Sequence, residues 1–193
     1  RRRPLLAVAI GGAIAMAAAA SLILGRRPSQ TTSTVAWVAP AASSRPSIAR
    51  LAYPGARAYH PYAPARGTPA TAPTIALATL AALERQGDWY GVAVVSWWRG
   101  DRDAAARYFG MAADPDARVD QAALALSGAD TIALAEALTV FDQVLRSDPR
   151  HAAARWNRAQ TLAQLGLARS AASALDAIAA DGEPGWSDEA RQT

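Results

Sequence analysis

Apolar residues between residues 74 and 185 recur with the spacing of amphipathic α-helices. Glycines and Asp-Pro pairs interrupt this pattern at short intervals, as expected for the ends of helices. The predicted helices are, in chain order, 74–86, 89–98, 102–113, 118–126, 131–146, 152–165 and 168–180, and Trp186 begins a further one within residues 186–193. The pattern therefore predicts an all-α fold for this part of the chain.

Three kinds of position repeat within these helices, with steps of 32 and then 34 residues. A small residue in a first helix is followed by a small residue in a second helix and, four places later, by a bulky apolar residue. Small side chains let two helices cross closely, and the bulky ones fill the space between hairpins. Such a period predicts stacked helical hairpins, or an α-solenoid, over residues 74–185. The three series are Ala93, Ala125 and Ala159; Ala105, Ala137 and Ala171; and Phe109, Phe141 and Leu175.

These residues resemble the tetratricopeptide repeat (TPR). Besides the three series, the likeness includes Trp89 near the start of a first helix, the turn glycines Gly100 and Gly166, and the Asp-Pro pairs at 114–115 and 148–149. The second repeat departs from the family pattern, because Ile132 stands in place of the turn glycine. The resemblance covers about residues 86–185. It implies a concave face that is lined by the first helix of each hairpin.

That concave face is the candidate binding surface. Several residues of the helix 89–98 fall on one helical face, and the repeat register extends this face into the other hairpins. Aromatic and amide side chains suit an extended peptide or a partner helix. Alternatively, Trp97 and Trp98 are core residues or pack beneath the preceding linker. The predicted groove residues are Tyr90, Val94, Trp97, Trp98, Leu126, Trp156, Asn157, Gln160 and Gln164.

An uncharged apolar run over residues 5–25 precedes the helical part. Roughly 21 helical residues span about 30 Å, which is the thickness of a bilayer core. We therefore predict a transmembrane helix with arginine flanks over residues 1–27. Three arginines before the run and two after it favour a cytoplasmic N-terminal side and repeats on the non-cytoplasmic (periplasmic) side. A cleaved signal peptide is the alternative, although the run is longer than the usual core of such a peptide.

Residues 28–73 contain most of the prolines and predict a semi-extended linker. Tyr53, Tyr59 and Tyr62 are more aromatic residues than a solvated linker needs. They either dock on the helices or on a partner, or they belong to an exposed turn at Pro54. His60 has no second metal-binding residue type close to it in the sequence, so a metal role is not expected.

Composition narrows the chemistry that this chain can perform. It has no cysteine, which excludes disulfides, thiolate catalysis and cysteine-based zinc sites. Nine arginines and no acid precede Glu84, whereas 16 acids and 11 arginines follow from that residue onward. The arginines form no helical stripe with stacking aromatics, so nucleic acid is not an expected partner. No phosphate-binding loop and no His–acid cluster is present, and we expect no enzyme activity or cofactor within this chain.

The order of these features also resembles bacterial membrane-anchored proteins with degenerate TPRs and, further along, a CHAT protease-like domain. The likeness includes Ala-Tyr-Pro-Gly and His-Pro-Tyr in the linker and Gly-Glu-Pro-Gly-Trp-Ser-Asp-Glu-Ala at 182–190. In such proteins an anti-sigma-like domain can precede the membrane helix. No catalytic residue carries over, and the chain is expected to be an internal piece of a longer protein. The expected function is a membrane-anchored scaffold for protein–protein interaction; alternatively, the chain is a non-catalytic accessory segment of a CHAT-type protease or an anti-sigma-like signalling protein.

Overall fold

The computed structural model of the chain describes residues 44–45, 47–63, 77–128 and 130–193. All of them belong to one compact unit, Val35–Thr193. The predicted membrane helix lies outside the described residues, as do the predicted start of the first helix at Thr74 and much of the predicted linker. No described helix is both long and apolar enough to cross a bilayer.

The described residues form eight α-helices and two 3-10 helices and contain no strand, which confirms the all-α prediction for this part of the chain. The α-helices are α1 Leu77–Gln86, α2 Trp89–Trp98, α3 Arg102–Met111, α4 Pro115–Ala123, α5 Thr131–Ser147, α6 Ala152–Gln164, α7 Ala168–Ala180 and α8 Trp186–Gln192. The 3-10 helices are Pro54–Ala56 and Leu124–Ser127.

Side-chain caps and glycine turns set these boundaries. Five polar side chains each accept a backbone N–H in the first turn of the helix that they precede. Gly100 and Gly166, the two predicted turn glycines, have φ angles of 85° and 75°, which L-residues rarely adopt. The chain therefore reverses at these two points without strain. The capping residues of α2 to α6 are Asp88, Asp101, Asp114, Asp130 and His151.

Each α-helix from α1 to α7 packs against the helix that follows it. The 3-10 helix Leu124–Ser127 also contacts both α4 and α5, and α4 contacts α6 as well. Helices that are neighbours in the sequence are therefore also neighbours in space. Four positions of the predicted repeat lie in the interior. Ala93, Ala105 and Phe141 are fully buried, and Phe109 is 2% exposed. The first helices of successive hairpins, α2, α4, α6 and α8, share one face of the stack.

The middle hairpin differs from its prediction at both ends of its first helix. Helix α4 begins at Pro115 and not at Arg118, because Asp114 caps it and proline at the first helical position loses no hydrogen bond. The helix then tightens into the 3-10 helix at Leu124. As a result Ala125, the predicted crossing residue, is only half-buried, whereas Ala123 is fully buried.

Candidate functional site

The face formed by α2, α4, α6 and α8 holds a stretch of the predicted linker. We call residues 44–45 and 47–63 the docked segment, and the face that it occupies the groove. The two ends of the segment meet, since the Arg45 N–H donates to the Pro61 carbonyl over 2.9 Å. The 3-10 helix Pro54–Ala56 turns the chain between them. The segment is therefore a closed loop whose first half lies along the helices.

Helix α6 contributes two side chains that bind the backbone of the docked segment. Asn157 accepts from the Arg50 N–H (2.8 Å) and donates to the Arg50 carbonyl (2.9 Å). The Trp156 indole N–H donates to the Ile48 carbonyl over 2.8 Å. Both side chains are fully buried. The chain bends at residues 47–49, and the Ile48 carbonyl and the Arg50 backbone groups both face α6.

Asp120 of α4 continues this backbone contact. Its carboxylate accepts from the Ala52 N–H (2.8 Å), the Tyr53 N–H (3.2 Å) and the Tyr90 hydroxyl (2.7 Å). Asp120 is fully buried. Burial raises the pKa of Asp120 to about 7, although the three donors favour the charged form and oppose that rise. The Tyr90 pKa is also raised, first by burial and then by the charge of Asp120.

A second acid on α4 binds the outer part of the segment. Asp116 accepts from Arg57 (3.0 Å) and lies 3.1 Å from Nε2 of His151. The hydrogen bond from His151 lowers the pKa of Asp116, and the same bond raises the pKa of His151. His151 Nδ1 accepts from the Ala154 N–H, so the neutral imidazole donates through Nε2 and caps α6 at the same time.

Two of the three linker tyrosines contact the helices. Tyr53 is buried, packs edge-on against Tyr90 with ring centroids 4.9 Å apart, and donates to Asp88 over 2.9 Å. Tyr59 packs edge-on against Trp186 at 5.2 Å. Tyr62 is 37% exposed and pairs with Arg45 in a single backbone bridge.

The predicted groove residues separate into three groups. Tyr90, Trp156 and Asn157 contact the docked segment directly, as described above. Val94, Trp97 and Gln160 are buried, and Trp98 is partly buried beside them. Leu126 and Gln164 lie apart from the segment: Leu126 is buried, and its carbonyl accepts from the exposed Gln164 over 3.2 Å.

The docked segment fills the groove almost completely. The gap between the segment and the helices has a volume of ≈ 30 Å³ and is lined in part by Trp97, Trp98 and Trp186. That volume holds about one or two water molecules. A larger cavity of ≈ 550 Å³ lies between α3, α4 and α5, and none of the predicted groove residues lines it.

Sequence reasoning missed the acids that bind the segment. The repeat register pointed to Leu126 for the second hairpin, and the helix was expected to begin at Arg118, which left Asp116 outside it. With Pro115 as the first helical residue, Asp116 and Asp120 are four apart and lie on one face of α4. Recognising the Asp-Pro start of this helix was the signal that could have located them.

Two buried donors in the described part of the chain have no hydrogen-bond partner. They are Gln160 Nε2 and Trp186 Nε1, and both side chains are at most 3% exposed. Each unpaired buried donor costs about 1–3 kcal/mol. The docked segment therefore leaves two polar atoms on or near the groove unsatisfied.

The described residues contain no group of three or more His, Asp or Glu side chains arranged to hold a metal ion. Comparison of the chain with protein-family models, with curated proteins and with solved structures returned no match.

Gly91 of α2 offers a test of the contact between Tyr53 and Asp88. A Cβ at this position would lie 2.8 Å from both the Tyr53 hydroxyl and Asp88 Oδ2, and 2.9 Å from Leu83 Cδ2. We expect Gly91→Ala to lower the free energy of unfolding by about 1 kcal/mol, although alanine usually stabilises a helix. Chemical denaturation followed by circular dichroism measures the change.

Gly110 of α3 is the matched control, because a Cβ there meets nothing within 4 Å. Gly110→Ala should raise the free energy of unfolding by about 0.5 kcal/mol. Adding Tyr53→Phe to Gly91→Ala removes the crowded hydroxyl and should recover part of the loss. Equal stabilisation by both glycine substitutions would show that the Tyr53 hydroxyl does not approach α2.

Proposed function

We propose that this chain is a non-catalytic, TPR-like scaffold whose groove binds an extended polypeptide, and that it is tethered to a membrane through residues 5–25. In this chain the occupant of the groove is its own docked segment. One observation carries the proposal: buried side chains of α4 and α6 hydrogen-bond the backbone of the segment at Ile48, Arg50, Ala52 and Tyr53. Backbone contact along an extended chain is a general mode of peptide recognition.

The uncharged run over residues 5–25 and its arginine flanks support the tether. In that case the docked segment joins the bilayer to the helical stack, with the stack on the non-cytoplasmic side. Release of the full chain from membranes by alkaline carbonate, without detergent, would contradict the tether.

The second candidate function is a non-catalytic accessory segment of a larger protease or signalling protein. The occupation of the groove favours it, because Asp120, Trp156 and Asn157 already bind the docked segment. On that hypothesis the docked segment is a fixed part of the fold, and it only sets the position of the stack relative to the membrane.

Cleavage between the segment and the stack tests whether the segment behaves as a ligand. A specific protease site is placed within residues 64–76 of the full chain, which is then cut in detergent. The N-terminal piece should co-elute with the helical piece on size exclusion, because its contacts are independent of the covalent link. Separation of the two pieces with the helical circular dichroism unchanged would contradict the proposal.

Asp120→Ala in the same cleavable chain is the control for that experiment. Loss of the carboxylate removes the acceptor for the Ala52 and Tyr53 N–H groups, so the pieces should separate. If this variant holds the two pieces as tightly as the original chain does, Asp120 does not contribute to binding the segment.

A further inference from the structure

Both buried arginines of the docked segment pack against one indole ring. Arg45 and Arg50 are 8% and 7% exposed, although arginine is seldom so deeply buried. Their guanidinium carbons lie 4.6 Å and 4.5 Å from the centroid of the Trp186 ring. A desolvated guanidinium is attracted to an indole more strongly than to any other side-chain ring. Trp186 is therefore a shared platform for two cations.

Each of these guanidinium groups also has its own carboxylate. Arg45 donates through Nη1 and Nη2 to the two oxygens of Glu189 (2.9 Å and 2.5 Å). Arg50 donates in the same way to Glu183 (2.7 Å and 2.6 Å). Two parallel N–H···O bonds need the planar fork of arginine, which the single ammonium of lysine does not have.

Arg45 is enclosed further by three more rings. Its guanidinium carbon lies 6.0 Å from the ring centroid of Tyr59, 5.8 Å from that of Tyr62 and 5.6 Å from that of Trp156. Its Nε donates to the Ser47 carbonyl over 3.0 Å. A lysine ammonium at this position could not form the paired bonds to Glu189 and the Nε bond to Ser47 at the same time.

The third arginine of the segment is different. Arg57 pairs with Asp116 over 3.0 Å and donates through Nε to the Ala52 carbonyl within the segment (2.6 Å), but its side chain is 56% exposed and makes no paired bond to a carboxylate. Exposed ion pairs of this kind contribute little to binding. Selectivity for arginine is therefore expected at positions 45 and 50 and not at position 57.

We propose that Trp186, Trp156, Glu183 and Glu189 form an arginine-reading site, selective for an extended peptide with two arginines five residues apart. The docked segment is its internal ligand, and a partner polypeptide with the same arginine pair must displace it. This inference rests on the proposed function, since it assigns side-chain specificity to the same groove. The excess of acids over arginines from Glu84 onward complements such a partner.

Competition in the cleaved full chain tests the arginine pair. Because the chain has no cysteine, Ala63→Cys carries a single dye on the N-terminal piece, and fluorescence anisotropy reports its release. The competitors are synthetic peptides of residues 44–63: the native sequence, one with Arg45→Lys and Arg50→Lys, and one with Arg57→Lys. All three peptides carry the same net charge, so only the shape of the cation differs.

We expect the native peptide to displace the N-terminal piece. The peptide with lysine at 45 and 50 should need a concentration at least about tenfold higher for half-displacement. The Arg57→Lys peptide should compete within about threefold of the native one. Equal competition by all three overturns the arginine-reading site and leaves the proposed peptide-binding function intact. Failure of the native peptide to displace the piece contradicts the proposed function itself.

Discussion

Asp120→Ala should lower the free energy of unfolding by about 3–5 kcal/mol, because it leaves buried donors without an acceptor. The two backbone donors, Ala52 and Tyr53, belong to the docked segment, and the third is the Tyr90 hydroxyl. Alanine is also too small to fill the space of the carboxylate. Urea denaturation monitored by circular dichroism gives the change directly.

Asp142→Ala is the matched control for this prediction. Asp142 pairs with Arg158 over 2.6 Å, but its side chain is 46% exposed, so its loss should cost less than about 1 kcal/mol. A similar small loss in both variants would show that Asp120 does not organise the segment.

The cost of Asp120→Ala should depend on pH. The native pKa of Asp120 is about 7, above the ordinary value of 3.8, so the folded chain binds this proton more tightly than the unfolded chain. The contribution of this group to stability is therefore complete below pH 4 and is lost as the pH rises towards 7. Asp116 and His151 titrate in both proteins, and what remains in the comparison is the repulsion between Asp116 and Asp120, which raises the pKa of Asp120 and so acts in the same direction. The difference in the free energy of unfolding between wild type and variant should thus be larger at pH 5 than at pH 8.

Local patterns were enough to predict most of the helices in the described part of the chain. Helices α2 and α7 have the predicted bounds, because a run of helix-forming residues is stopped by a nearby turn signal in each case. The start of α4 was missed because proline was treated as the end of one helix and not as the first residue of the next.

The docked segment could not be predicted in the same way, since its contacts are remote in sequence. Arg45 meets Glu189 across 144 residues, and Ala52 meets Asp120 across 68. A proline-rich segment has no hydrophobic period that identifies the surface it covers. The number of tyrosines was the only local signal, and it did not decide whether they dock on the helices or a partner or belong to an exposed turn.

Trp156→Ala is expected to release the docked segment as well as destabilise the helices. The ring is fully buried, packs edge-on against Trp186 at 4.9 Å, and donates to the Ile48 carbonyl. Removing a buried tryptophan costs about 3–5 kcal/mol. Part of this lost free energy concerns the docked segment alone, because the variant lacks both the hydrogen bond to the Ile48 carbonyl and the ring beside Arg45.

Limited trypsin digestion separates the two parts of this effect. Arg50 is buried in the docked segment, whereas Arg146 lies in the last turn of α5, so cleavage after each one reports a different opening. Trp156→Ala should raise the ratio of cleavage after Arg50 to cleavage after Arg146 by about tenfold or more, as 1.4 kcal/mol of lost docking implies.

Phe141→Ala is the control, because Phe141 is fully buried in α5 and has no contact with the segment among the ring contacts of the described residues. It should destabilise the stack by a similar amount and raise both cleavages together, leaving their ratio unchanged. If Trp156→Ala also leaves the ratio unchanged, the segment and the helices open as one cooperative unit. In that case the segment is a structural part of the fold and not an exchangeable ligand.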